Sequence, residues 1–306
     1  MHMTMPNFLI IGAAKCGTDA LCAYLAQHPR VYMTANKEPN FFIAEGRHEI
    51  PYRGPGDRDV LQRFDGWVTT LDGYQALFGG VTDEQAIGEA STWYIYDERA
   101  PRQIRRHVPD AKLIAVLRNP IDRAYSAFTM MMRDGRETTT SFARALAAED
   151  DRVGAGWELL WHYRRMGFYH AQLRRYFETF DAEQIRVVLY EDFNSRPREV
   201  VRDLFGFLGV DEGFEVDVSG RLNASMIPRH PRYHKLVRGQ NSLKTALKSL
   251  LPSSVRRRVK ASLPSSELTR PVPLSPEVRG ALADVFRADV LQLERLLGRD
   301  LAHWLR

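Results

Sequence analysis

Lys15 lies in the run FLIIGAAKCGTDAL, where an apolar stretch breaks at Gly12 and passes through Lys15, Cys16, Gly17 and Thr18 into a segment of helical character. Strand, glycine loop and helix in that order form the arrangement in which loop N–H groups and a helix N-terminus cradle a phosphate. The pattern is not a Walker A loop, which needs a Lys and then a hydroxyl residue after its second glycine to hold Mg²⁺. Here Lys15 precedes Gly17, and no hydroxyl follows the Lys. A glycine turn made only for packing has a similar sequence, so this stretch alone leaves both readings open. A second run, AKLIAVLRNPIDRAYSAF, delivers Arg118 at the end of a buried apolar segment, with Pro120 opening a helix and Ser126 in its second turn. An Arg at a strand end is commonly a surface ion pair. In a parallel sheet, however, ligands collect outside the carboxyl ends of the strands, so Arg118 and the Lys15 loop would face one crevice and offer two anion sites.

The elements that must position these residues are legible as a period. Apolar runs bounded by turn residues occur at NFLIIG, QAIGEAS, AKLIAVLR and IRVVLYED, the pattern of buried strands. Helical spacing lies between them, over Asp19 to Gln27, Pro120 to Met132, Trp161 to Phe180 and Pro197 to Leu208. Strands alternating with helices predict an α/β fold, a parallel doubly wound sheet with a P-loop-like phosphate-binding loop and helices on both faces, built as one domain over 1–306. Residues 44–84, rich in Gly, Asp and Pro, read as an excursion over one edge of the sheet of the kind that forms lids on the acceptor side. Within 275–306, Val278, Leu282, Val285, Phe286, Val290, Leu293, Leu296 and Leu297 describe an amphipathic helix ending at Gly298 and docking on the core, with Trp304 sealing its end.

Composition narrows the class. In 306 residues, 44% hydrophobic and 26% charged, no apolar run approaches the roughly 18 residues a membrane span requires, and Lys15 follows FLIIGAA where a signal peptide would carry its cleavage site. A cytoplasmic protein is expected. Cys16 and Cys22 support neither a disulfide framework nor a zinc site, and no metal is assigned. The net charge of +5 is local: between Val218 and Ser266 stand eleven Lys or Arg and no Asp or Glu, so the rest of the chain is net acidic. That distribution argues against nucleic acid and for an anionic ligand, an acidic partner or a membrane surface. Within 243–260, Leu243, Leu247, Leu250 and Leu251 precede Arg256, Arg257 and Arg258, which suits either a helix docked on the core or one lying on an anionic surface.

Taken together the motifs resemble the sulfotransferases that use 3′-phosphoadenosine 5′-phosphosulfate (PAPS), in their bacterial and heparan-type branch. IIGAAKCGTDAL is similar to the 5′-phosphosulfate loop of that family, LRNPIDRAYSAF to its 3′-phosphate site, and KEPNFF to the segment carrying its catalytic carboxylate. GEASTWY, the GFYHAQLRRYF helix followed by VVLYEDF, the NASMIPR loop and the final PLSPEV helix extend the resemblance over most of the chain. It implies that Lys15, Cys16, Gly17, Thr18 and Asp19 form the loop around the 5′-phosphosulfate, that Arg118 and Ser126 hold the 3′-phosphate, and that Arg229 covers the cofactor. Two departures stand out. Where many members read GTT this chain has Asp19, whose carboxylate would repel phosphate and is expected to turn outward or to complement the helix N-terminus. Where heparan-modifying members carry a Lys after the Glu of the GE[KA]S-like segment, this chain has Ala90, which weakens the case for a polyanionic acceptor.

The implied reaction moves a sulfuryl group from PAPS to a hydroxyl or amine of a saccharide, lipid or secondary-metabolite acceptor and releases 3′-phosphoadenosine 5′-phosphate (PAP). Such a transfer needs in-line attack, removal of the acceptor proton and stabilisation of the leaving phosphate. The resemblance implies Glu38 as general base and Lys15 as the stabilising cation. An isolated Lys-Glu dipeptide would instead read as a surface pair of Glu38 with Lys37. His28 and His107 stand at helix ends and read as caps, and Phe41 and Phe42 read as core more readily than as an acceptor pocket. No metal is demanded, since a sulfuryl carries less charge than a phosphoryl. The alternatives are a P-loop nucleotide kinase, which should show GK[ST], and a non-catalytic anion or membrane-surface binding protein.

Overall fold

The computed structural model describes residues 4–49, 52–54, 64, 66–219, 227–228, 268–269 and 273–306. Its frame is a parallel sheet of β1 (Phe8–Gly12), β2 (Val31–Met33), β3 (Ala86–Ala90), β4 (Lys112–Leu117) and β5 (Ile185–Leu189), in the order β2-β3-β1-β4-β5. The register sets Leu9 beside Glu89 on one side and Leu113 on the other. Every residue of β1 is buried, as expected of a strand covered on both faces. Four of the strands coincide with the apolar runs read from the sequence. The fifth, β2, was not anticipated: it has three residues, of which only Val31 is buried, too short to show a period.

Topology decides where the site can be. From β1 the chain moves first to β2 and β3 on one side, then crosses to β4 and β5 on the other, and this reversal leaves a crevice at the carboxyl end of β1. Right-handed crossovers send connections of opposite direction to opposite faces. On one face α1 (Thr18–Leu25) is later joined by α10 (Pro197–Leu208); on the other lie α2 (Phe41–Ala44), α3 (Leu71–Ala76), α4 (Ala100–His107) and α5 (Pro120–Arg133). After α5 come the short α6 (Phe142–Ala147) and α7 (Glu149–Gly154), then α8 (Tyr169–Phe177), α9 (Tyr190–Ser195), which directly follows β5, and finally α11 (Pro276–Leu297).

The helix expected over Trp161 to Phe180 is shorter than its period suggests. Its first half is two 3₁₀ turns, Leu159–Trp161 and Arg165–Gly167, and α8 begins only at Tyr169. The buried Glu149 carboxylate accepts the backbone N–H groups of Arg164 at 2.7 Å and Arg165 at 2.9 Å, drawing those donors out of a helical ladder. Asp289 of α11 accepts from His170 N at 3.1 Å and so caps the helix that does form.

α11 starts on the Ser275 side chain, which accepts from Val278 N at 3.3 Å, and stops at left-handed Gly298. Leu282, Phe286, Val290 and Leu293 are buried, whereas Val285, which the period places in the stripe, is 44% exposed. The helix packs on α8 and α5, and Trp304 beyond it is buried with its indole N–H 2.6 Å from Glu191 Oε1. The described part of the excursion runs beside edge strand β2: the Tyr32 hydroxyl donates to Leu77 O at 2.9 Å, and Arg30 pairs with Asp83. Ile227–Pro228 (β6) pairs antiparallel with Leu268–Thr269 (β7) and lies against α5. Arg229, the stretch 243–260 with its leucines and Arg256 to Arg258, and residues 50–51, 55–63 and 65 of the excursion lie outside the described residues.

Truncating Trp304 empties a buried aromatic site and leaves the C-terminal segment without its anchor. Trp304→Ala is expected to lower unfolding stability by about 3–5 kcal/mol, measured by urea denaturation of the whole chain.

Candidate active site

At the end of β1 the chain must turn sharply, because the strand is held in register while α1 starts a few residues on. Ala13 N–H donates to Val116 O at 2.9 Å, tying the loop to β4. Lys15 (φ 72°) and Gly17 (φ 86°) then take left-handed conformations, and α1 opens at Thr18. At Gly17 a side chain is excluded twice over, since a Cβ there would lie 3.0 Å from the Tyr190 ring in addition to the backbone cost. Cys16 is fully buried, with Sγ 3.7 Å from the Tyr169 hydroxyl, and burial pushes its thiol pKa up; it faces the interior and offers the loop only backbone. Lys15 Nζ lies 3.2 Å from Met130 Sδ, a thioether and a weak acceptor. Its pKa is lowered, first by burial and then by the positive charge of Arg133, with Arg118 adding to the effect and Asp19 and Asp134 opposing it.

Arg118 follows the last residue of β4, and its guanidinium lies over the Tyr190 ring at 4.7 Å. Tyr190, the first residue after β5, therefore supports both the phosphate-type loop at Gly17 and the strand-end Arg. The sequence reading missed it, although it stands in VVLYEDF at a strand's carboxyl end, where ligand-facing residues concentrate. The next residue after Arg118, Asn119, caps α5 by accepting from Ile121 N at 2.9 Å, and Pro120 supplies the first turn. Ser126, Met130 and Arg133 follow at helical spacing along one face of α5, the face that meets Lys15. Ser126 is nearly buried. Among the described residues, neither Lys15 nor Arg118 is paired with a carboxylate.

Glu38 comes from a different loop, between β2 and α2. Its backbone is left-handed (φ 55°), as is that of Asn40 (φ 52°), and both are pinned to the segment that follows β3. Glu38 N–H donates to Ala90 O at 3.1 Å, Thr92 Oγ1 donates to Glu38 Oε1 at 2.7 Å, and Asn40 Nδ2 donates to Glu38 O at 2.7 Å. Burial raises the Glu38 pKa; the Thr92 hydrogen bond and the positive charges of Lys37 and Lys15 act against that rise. Lys37 pairs with Asp19, not with Glu38. The Asp19 carboxylate is thereby directed at Lys37 from the first turn of α1, and Glu38 is left facing Thr92. The simple surface-pair reading of Lys37 and Glu38 fails for that reason.

The other candidates take structural places. His28 is buried between Phe205 and Phe214 and bridges Asp211 O and Arg30 N, so it bonds a distant carbonyl rather than capping its own helix. His107 lies 2.9 Å from Glu45. Phe41 and Phe42 are core residues against Tyr74 and Tyr94. Tyr52, Phe64, Trp67 and Trp93 form a packed aromatic cluster, tied to the loop that carries Glu38 by Asn36 Nδ2 donating to Gly66 O at 3.0 Å and Val68 N–H to Pro39 O at 2.9 Å.

Residues 6–215, a span containing Lys15, Glu38, Arg118, Ser126 and Tyr190, match the sequence profile of the sulfotransferase family. The chain belongs to the sulfotransferase family. Its fold agrees with a crystal structure of a sulfotransferase from Alicyclobacillus acidocaldarius at a TM-score of 0.77 and 36% identity, covering 99% of this chain and 100% of that one. Among curated relatives, heparan sulfate glucosamine 3-O-sulfotransferase 6 of Homo sapiens is 31% identical over 67% of this chain and 52% of its own length. Bifunctional heparan sulfate N-deacetylase/N-sulfotransferase 3 of Mus musculus is 28% identical over 67% of this chain and 22% of its own. The chain thus spans about half or less of the length of those curated relatives.

The double duty of Tyr190 makes it a test of the site. Tyr190→Leu keeps bulk against Gly17 but removes the ring face under Arg118, and is expected to raise the Kd for PAP about tenfold by calorimetry while leaving Tm nearly unchanged.

Proposed function

We propose that this chain transfers the sulfuryl group of PAPS to a hydroxyl or amino group of a saccharide and releases PAP. The observation that carries the reading is a convergence on Lys15: standing past the end of β1, it lies within electrostatic reach of both Arg118, past the end of β4, and Glu38, held against the end of β3. The residues suit the nucleotide: the glycine loop is closed against Tyr190, whose ring also carries Arg118, and the two cations lack carboxylate partners among the described residues. PAPS supplies an activated sulfuryl group when bound. Lys15, with the N–H groups of Gly17 to Asp19, is assigned to the 5′-phosphosulfate, where its charge stabilises the departing phosphate, while the Cys16 N–H closes the loop on Ala13 O. Arg118 and Ser126 are assigned to the 3′-phosphate, and Arg229, two residues beyond Ile227 at α5, to the cofactor cover. Glu38 takes the acceptor proton, its carboxylate aimed by Thr92 and made more basic by burial.

A saccharide is favoured by the heparan sulfate acceptors named for the curated relatives. Residues 1–306 are read as one catalytic unit, since α11 packs on α5 and α8. No helix among the described residues is long and apolar enough to cross a membrane, and the free Cys16 and Cys22 fit a reducing compartment such as the cytoplasm.

The deciding experiment incubates the chain with PAPS and an N-deacetylated heparan oligosaccharide, which offers both amino and hydroxyl groups, and follows PAP release and the +80 Da product. Sulfation that persists in EDTA is the expected result; a strict Mg²⁺ requirement, or binding of ATP with Mg²⁺ in preference to PAP, overturns the assignment.

Glu38→Gln is expected to lower kcat on the order of 10² or more while PAP affinity stays within a few fold. Glu38 must be ionised to act, so kcat should fall on acidification at a pH above the ordinary carboxylate range. Thr92→Val, which removes a donor to the charged form, should move that limb to still higher pH.

Arg118→Ala and Ser126→Ala are expected to weaken PAP binding far more than binding of adenosine 5′-phosphosulfate, which has no 3′-phosphate. Equal losses for the two nucleotides, measured by calorimetry, would remove both residues from that site.

A further inference from the structure

Glu89 occupies a position where a carboxyl is costly. It lies near the end of β3, opposite Leu9 of β1, and is completely buried. The groups that face it are the hydroxyls of Tyr74 from α3 and of Ser91 and Tyr94 from the tail of β3, together with Glu38; Cys22 of α1 and Tyr176 of α8 lie within reach of its charge. None of these is a cation. A buried carboxyl with only hydroxyl partners is not a stability device, since its desolvation is repaid by no opposite charge.

The bonds run in one direction. Tyr74 OH donates to Glu89 Oε1 at 3.1 Å and Ser91 Oγ donates to Glu89 Oε2 at 2.8 Å. With its single proton committed to Glu89, the Ser91 hydroxyl turns lone pairs outward and accepts the backbone N–H of Asn40 at 3.0 Å. Asn40 holds Glu38 through Nδ2 and the Glu38 carbonyl. Glu38 and Asn40 both sit in the left-handed region, which is unfavourable for non-glycine residues and persists only where the surroundings over-determine it. The chain Glu89–Ser91–Asn40 is such a determinant, and it ends on the backbone carbonyl of the residue assigned as base.

We propose that Glu89 is a positioning residue for Glu38, acting through the Ser91 hydroxyl and the Asn40 backbone. The inference rests on the assignment of Glu38 as base. Burial pushes the Glu89 pKa up to about 7. Below that pH the carboxyl takes up a proton and one of its oxygens becomes a donor, so the hydroxyls of Ser91, Tyr74 and Tyr94 around it must rearrange. Glu38 positioning is therefore complete well above about pH 7 and is lost progressively as pH falls through it.

The test measures PAP release from PAPS with the heparan oligosaccharide across pH for wild type, Glu89→Gln, Ser91→Ala, the double variant and Glu38→Gln. Each single variant is expected to lower kcat about tenfold at pH 8 with KM for PAPS within twofold, and the double variant to be no worse than the poorer single one. Wild type should show an inflection near pH 7 that both single variants lack, a signature that loss of packing does not produce. Ser91→Ala removes one hydroxyl and carries the test alone if Glu89→Gln does not fold, as judged by Tm and PAP affinity. Additive losses, an inflection near pH 7 that survives in the variants, or its absence from wild type would overturn the proposal. Wild-type turnover in Glu38→Gln would reject the base itself; an inactive Glu38→Gln beside fully active Glu89→Gln and Ser91→Ala would reject only the positioning role.

Discussion

Lys15 is withdrawn from water and stands close enough to Arg133 and Arg118 for their positive charges to disfavour its own. Like charges gathered at the edge of a low-dielectric interior are unstable unless the scaffold holds them or an anion arrives between them. Much of the architecture serves the first purpose. The loop that carries Lys15 is fastened to β4 through Ala13, Arg118 rests on an aromatic ring, and Arg133 is drawn to its neighbour Asp134 at 3.0 Å. The residual repulsion is what a phosphosulfate and a 3′-phosphate would relieve, so the energy of binding is stored in the free protein as preorganised positive potential.

Against that cationic wall stands one carboxylate from a separate loop. Glu38 is bound at its N–H, its carbonyl and its side chain to the residues that end β3 or to Asn40, which is itself bound to them. The sheet therefore supplies both parts from adjacent strands: β1 and β4 present the cations, and β3 holds the Glu38 loop. Because Glu89 and Leu9 are paired in register within one ladder, β3 is fixed relative to β1, and the Glu38 loop with it relative to Lys15.

The Lys37–Asp19 pair joins α1 directly to the loop that carries Glu38. In a loop that resembles one usually reading GTT, a carboxylate next to a phosphate cradle would be a defect if it faced inward. Its pairing with Lys37 turns it into a strut between α1 and the Glu38 loop, exposed enough that its contribution to stability is small and its effect is mainly on orientation.

The sequence by itself determined the strand–loop–helix around Lys15, the strand-end placement of Arg118, the capped α5 carrying Ser126 and the docking of α11 with Trp304, because each depends on short-range pattern: apolar runs, glycine, proline and cap residues at fixed offsets. It did not determine β2, whose three residues carry no period, or the break before α8, which is imposed by Glu149 from a different helix. Tyr190 beneath Arg118, Lys37 on Asp19 rather than on Glu38, and Glu89 behind Ser91 and Asn40 were likewise decided only by the tertiary structure. These are contacts between residues far apart in the chain or on opposite sides of a strand, and the parallel order β2-β3-β1-β4-β5 is what brings them together. A dipeptide such as Lys37-Glu38 reads as an ion pair until the fold supplies each member with a better partner.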